Sequence, residues 1–190
     1  MADYYTGNYP LTDEQMHVNA LYIAYQLING SYDPIKWTYE AVAALLGNTQ
    51  SESRHNPGAW QDYTIDYDDS YKGYGLTQWT PARKFIDWAE DRKYDIKSMS
   101  AALERLYYER ISQSQYYPTE QYPETFTEFI QSKKDPYYLA GAFLYNYERP
   151  QTPDPDTRGK QALYWYQYIT GNVYRKKSHW IYYLRKKVML

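Results

Sequence analysis

The chain has 190 residues and no cysteine, so it can bury one full hydrophobic core, and disulfides, thiolate metal sites and cysteine nucleophiles are excluded. Its formal net charge of −2 argues against a general nucleic-acid binder. Tyrosine is the outlier, 27 residues against 6 tryptophans and 4 phenylalanines, which suits either a Tyr-rich core boundary or surfaces that stack on sugar rings.

The opening MADYYTGNYPLTDEQM lacks a basic start followed by an apolar run, so no signal peptide is expected. No apolar stretch approaches the roughly 18 residues of a membrane span, so no transmembrane segment is expected either. Thr12 and Gln15 form a capping box with acidic residues in the first turn. Met16, Ala20, Ile23 and Leu27 then recur at helical spacing, and Gly30 is a stop. Thr38 caps a second helix that is almost entirely apolar from Ala41 to Leu46, which predicts a central, buried element. Glu52 falls at the C-terminal end of that helix, between Ser51 and Ser53, before Pro57 and Gly58 turn the chain away. A helix C-terminus disfavours an ionised carboxylate, and burial against Trp60 or Trp79 would add to that. Read alone, Glu52 is either a general acid kept protonated in this way or a solvated charge at a frayed helix end.

Next comes a polar loop with Asp62, Asp66, Asp68 and Asp69 among tyrosines, where alternation around Thr64 and Ile65 predicts short strands broken by Gly73 and Gly75. The aspartates lack the spacing of a calcium loop, and no metal or other cofactor is expected. They are candidates instead for a second carboxylate facing Glu52 across a cleft, as glycoside hydrolysis needs an acid together with a nucleophile, a base or substrate assistance. Thr80-Pro81 reads as a cap with proline at the first helical position, and Ser98 or Ser100 opens a further helix. Thr125 with Glu128 forms a second capping box, and Asp135-Pro136 repeats the cap-then-proline signal. A last apolar face over Ala162, Trp165, Tyr166 and Ile169 predicts a helix packed on the same domain and ending at Gly171. The predicted organisation is one domain over 1–173 and a basic, aromatic segment over 174–190. From Tyr174 onward there are six lysines and arginines and no acid, which leaves residues 1–173 with a balance of −8. That segment is read as an attachment to anionic wall polymers, a membrane surface or a particle, or as a loosely packed tail.

Several stretches together resemble the phage tail lysozyme family, within the wider lysozyme superfamily: LLGNTQSES, NPGAWQ, GYGLTQWTPA, YERP and QALYWY. They run from about Leu45 to Tyr166. The resemblance implies an α+β, mostly helical, lysozyme-like fold with a small β-hairpin sheet beside the cleft. It implies cleavage of the β-1,4 bond between N-acetylmuramic acid and N-acetylglucosamine in bacterial peptidoglycan, with Glu52 as the catalytic acid. It makes Gln78, Tyr145 and Tyr147 saccharide-site residues, with Trp60 and Trp79 as ring platforms. Asp62 or Asp66 would activate water in a hydrolase; without such a base, the sugar's own 6-hydroxyl would give the anhydro product of a lytic transglycosylase. A non-catalytic wall-binding protein of the tail tip is the other class. The resemblance further implies a virion tail or the bacterial cell wall as location; it says nothing of the basic segment, for which contact with other phage tail proteins is the expectation. Larger members carry a metallopeptidase domain, but His17, His55 and His179 show no H-x-H or H-E-x-x-H spacing.

Overall fold

The computed structural model describes residues 4–69 and 71–176. The expected caps launch the expected helices. In α1 (Asp13–Asn29) the Thr12–Gln15 box closes reciprocally, and Gly30, at φ 73°, ends the helix. α2 (Tyr39–Ser53) starts where the Thr38 side chain accepts the Ala41 N–H. α4 (Met99–Ser112) is capped by Ser98, α5 (Phe126–Gln131) by the Thr125–Glu128 box, and α6 (Pro136–Phe143) by Asp135. α6 runs into a π-helical turn (Leu144–Glu148), and α7 (Pro155–Lys176) follows.

Four expectations change. α3 (Arg83–Asp91) starts two residues beyond Pro81 without a side-chain cap, because the Thr80 hydroxyl donates to Gln78 O at 3.0 Å instead. α7 does not stop at Gly171 but continues to Lys176, through position 173; a Cβ at Gly171 would meet nothing within 4 Å. The β-hairpin sheet is reduced, among the described residues, to two antiparallel bridges, Trp60 with Tyr74 and Tyr74 with Trp79. Finally, the loop at Thr64 and Ile65 forms no strand, and Ile65 is 59% exposed. The basic segment lies, from residue 177 onward, outside the described residues.

α2 is the axis of the fold. Its residues from Ala41 to Thr49 are all buried, because α1, α6 and α7 pack around it, α7 most extensively. A helix apolar on every side is stable only when covered on every side, which is why this one is central. The close approach of α7 depends on Gly47: a Cβ there would stand 2.6 Å from Arg158 O and 2.8 Å from Ala162 N. Among the described residues no helix is long and apolar enough to cross a membrane.

Candidate active site

The site begins where α2 ends. Arg54 and His55 both take positive φ (55° and 61°), so the chain turns sharply after Ser53. Such angles cost a non-glycine residue of order 1 kcal/mol and persist only where neighbours hold them. Here the Arg54 N–H closes on Gln50 O and Thr49 O, and Arg54 Nε donates to Leu11 O at 2.8 Å. The His55 carbonyl accepts from buried Asn19, and its imidazole faces the Thr49 hydroxyl at 2.8 Å. The end of α2 is therefore pinned rather than frayed. Ser53 Oγ ties it to the 73–79 turn by donating to Leu76 O at 2.7 Å.

Glu52 opens from this pinned end into a cleft of about 810 Å³, a volume typical of ligand sites. The lining comprises a wall of Ala59, Trp60, Gln61, Asp62, Tyr63 and Tyr71, a floor of Thr77 and Gln78, and a rim of Glu148, Arg149, Pro150 and Gln151. At the head of the cleft the Glu52 carboxylate accepts from Arg158 Nη2 in α7. Arg158 Nη1 donates to Asn48 O at 2.8 Å, which fixes the guanidinium across α2. The same guanidinium lies 3.8 Å from Glu148, whose side chain is only 4% exposed. Burial, and then the charge of Glu52, holds the Glu148 carboxyl well above the usual carboxylate range, with Arg158 pulling the other way. Among the described residues neither Glu148 oxygen has an aligned hydrogen-bond partner.

The expected site residues divide. Glu52, Asp62, Trp60 and Gln78 line the cleft. Gln78, at φ 51°, donates from its amide to Ala59 O (3.1 Å) and Gly75 O (2.9 Å), which bends the 73–79 turn around its own side chain. Trp60 is 4% exposed, with Tyr67 and Tyr74 edge-on at 5.0 Å. Asp62 is exposed, 3.9 Å from Lys72. Asp66 is not part of the lining; its Oδ1 accepts the N–H groups of Asp68 and Asp69 and so shapes its own loop.

Trp79, Tyr147 and Tyr145 stand behind the cleft rather than in it. Trp79 stacks on Phe85 at 4.5 Å, and its indole N–H points at the Glu109 carboxyl (3.1 Å) and the Tyr147 hydroxyl (2.9 Å). Tyr147 donates to Glu109 and stacks on Phe143 at 4.4 Å. Glu109 is fully buried and closes the set through Arg105 Nε at 2.7 Å. Burial raises the pKa of Glu109, and Arg105 opposes the rise. This network ties α4 to Trp79, next to Gln78 of the floor, and to Tyr147, next to Glu148 of the rim. It thus fixes the width of the cleft from behind. Tyr145 is half-buried and stacks on Tyr122 at 5.7 Å. Of the two tryptophans expected as ring platforms, Trp60 lines the cleft and Trp79 joins this buried network with Tyr147, because an aromatic with a polar tip serves a buried polar network equally well.

Glu148, Arg158 and Glu109 were not among the expected site residues. Glu148 lies in the YERP stretch and follows an apolar run ending in Phe143 and Leu144; a carboxylate so placed is the one sequence signal that pointed to it. Arg158 carried no such signal, since the Glu52 carboxyl it pairs with is 106 positions away along the chain.

Compared with known proteins, residues 19–169 match the phage tail lysozyme family. The chain is also similar to Morphogenesis protein 1 of Bacillus phage B103, with 39% identity over 168 residues, 88% of this chain and 44% of that protein. The chain thus corresponds to less than half the length of that relative.

Proposed function

The chain belongs to the phage tail lysozyme family, and on that premise we propose that it is a peptidoglycan glycosidase, a muramidase that cuts the β-1,4 bond between N-acetylmuramic acid and N-acetylglucosamine. The observation that carries this reading is the position of Glu52: a carboxyl on a pinned helix end, opening into a polar-walled cleft and backed by a second carboxyl and an arginine. Glu52 is the general acid that protonates the glycosidic oxygen as the bond to the anomeric carbon breaks. Asp62 is a second carboxylate in the cleft lining, exposed enough to polarise water towards the oxocarbenium-like centre. Its presence in the lining supports hydrolysis over attack by the sugar's own 6-hydroxyl. Gln78, Gln61 and the edge of Trp60 supply the saccharide contacts. The name of the B103 relative, a morphogenesis protein of a phage, supports a role on a phage particle, and the proposed substrate makes the bacterial wall the place of action.

The test is release of soluble fragments from purified peptidoglycan. Wild-type protein is expected to release them, and Glu52→Gln to be slower by about 10²–10⁴-fold with its fold intact. An inactive wild type, or a Glu52→Gln protein as fast as wild type, would sink the assignment.

A further inference from the structure

We infer that Glu52 and Glu148 share a single proton, with Arg158 balancing the one remaining negative charge, and that Glu148 is the positioning residue that keeps Glu52 charged with the proton it delivers. This deepens the glycosidase reading and rests on it.

The geometry is a three-group cluster contributed by three elements: Glu52 from the last turn of α2, Glu148 from the end of the π-helical turn, and Arg158 from the first turns of α7. Arg158 contacts both carboxyls, but unequally. It holds Glu52 in a direct ion pair and stands 3.8 Å from Glu148. One guanidinium can neutralise one carboxylate. Two ionised carboxylates side by side in this enclosure would leave an uncompensated buried charge, which the enclosure strongly disfavours. With one proton between them the three groups sum to zero. The more enclosed member, Glu148, is 4% exposed and has no aligned hydrogen bond, so the resting proton sits there. Glu52, 20% exposed, is the member that reaches the cleft.

The step balances. The Glu148 proton moves to the Glu52 carboxylate, and Glu52 gives it to the glycosidic oxygen. The bond from that oxygen to the anomeric carbon breaks, with its electron pair passing to the leaving oxygen. The cluster is then negative by one charge, which faces and stabilises the positive anomeric centre. Water polarised by Asp62 adds to that centre and leaves its proton on Asp62, and exchange with solvent takes that proton away and returns one to the pair.

The other charged groups near the pair do not replace Glu148. Arg149 turns outward, with its guanidinium donating to Gln115 O and Asn146 O and stacking over Tyr117. Asp62 lies beside Lys72, and Glu109 is engaged by Arg105, Trp79 and Tyr147.

The test compares rate against pH for wild type, Glu148→Gln and Glu148→Asp on soluble glycan strands. Gln keeps the shape but neither stores a proton nor opposes ionisation of Glu52, so the alkaline limb of kcat should move to lower pH by at least about one unit. KM should stay near wild type, because Glu148 acts through Glu52, and Asp should recover part of the shift. Superimposable alkaline limbs for wild type and Glu148→Gln would overturn the inference. A second measurement does not depend on turnover: carbon-13 NMR of the glutamate side-chain carboxyls. In wild type one carboxyl of the pair should remain protonated at pH 7, and this signal should be lost in Glu52→Gln, where Arg158 is left to Glu148 alone. A spectrum with every glutamate ionised at pH 7 would refute the shared proton. An inactive protein that nonetheless shows the protonated carboxyl would refute the glycosidase reading and leave the shared proton standing.

Discussion

His55 is sealed beneath the last turn of α2, and its burial, followed by the charges of His17 and Arg54, lowers its pKa from 6.5 to about 3. Above pH 6.5 the imidazole is neutral whether the chain is folded or not. Between 6.5 and about 3 the unfolded chain takes up a proton that the folded chain refuses, so stability present above 6.5 is lost as pH falls through this window. The slope is at most about 1.4 kcal/mol per pH unit for one proton. Denaturant titrations at several pH values should therefore show a flatter acid limb for His55→Gln than for wild type, and parallel limbs would show that His55 is not the group responsible. The acid limb of stability is thus a separate readout from the alkaline limb of activity compared among the Glu148 variants. Asp62 makes a third residue-level claim. If it polarises the attacking water, Asp62→Asn should slow hydrolysis by about 10²-fold and raise the share of 1,6-anhydro ends among the remaining products. Unchanged rates and ends would remove Asp62 from the reaction.

At the level of elements, the site depends on how closely α7 approaches α2. Gly47 lies at that contact, and a Cβ there would press on the backbone at Arg158 and Ala162. Backbone does not give way as a flexible side chain does, so Gly47→Ala should cost about 1–3 kcal/mol and draw Arg158 away from Glu52. The expected readout is a lower unfolding midpoint together with a loss of activity larger than the loss of folded protein. A fully stable, fully active variant would mean that α7 can shift without disturbing the cluster. The helices themselves were legible from local chemistry: the Thr12–Gln15 and Thr125–Glu128 boxes and the Asp135-Pro136 start work within four residues, and each forms as written. The misread elements are those decided by distant partners. Thr80 spends its hydroxyl on Gln78 O, and α7 passes through Gly171. The hairpin shrinks to two bridges because the tight turn from Gly75 to Gln78, with both ends at positive φ and the Gln78 amide bonded to Gly75 O, lies directly between Tyr74 and Trp79.

Over the whole molecule, the cleft is a gap between two halves of one core, held open by polar links at its back. Glu109 joins α4 to both the floor and the rim, and Arg158 joins α7 to the head. Glu52 could be found in the sequence because it sits inside a short motif at a readable helix end. Glu148 and Arg158 could not, because their roles appear only when segments about a hundred positions apart are brought together. The same holds for Trp79 and Tyr147, whose residue types suit a sugar platform and a buried pillar alike. The chain corresponds to 44% of its B103 relative, and the glycosidase proposal is a claim about this unit alone. The most direct test of that unit is mass spectrometry of borohydride-reduced fragments from purified peptidoglycan, with wild type and Glu52→Gln run side by side. The expected result is disaccharide-peptides ending in reduced N-acetylmuramic acid from wild type and their near absence from Glu52→Gln. Intact glycan strands after wild-type digestion, or the same fragments from both proteins, would contradict it.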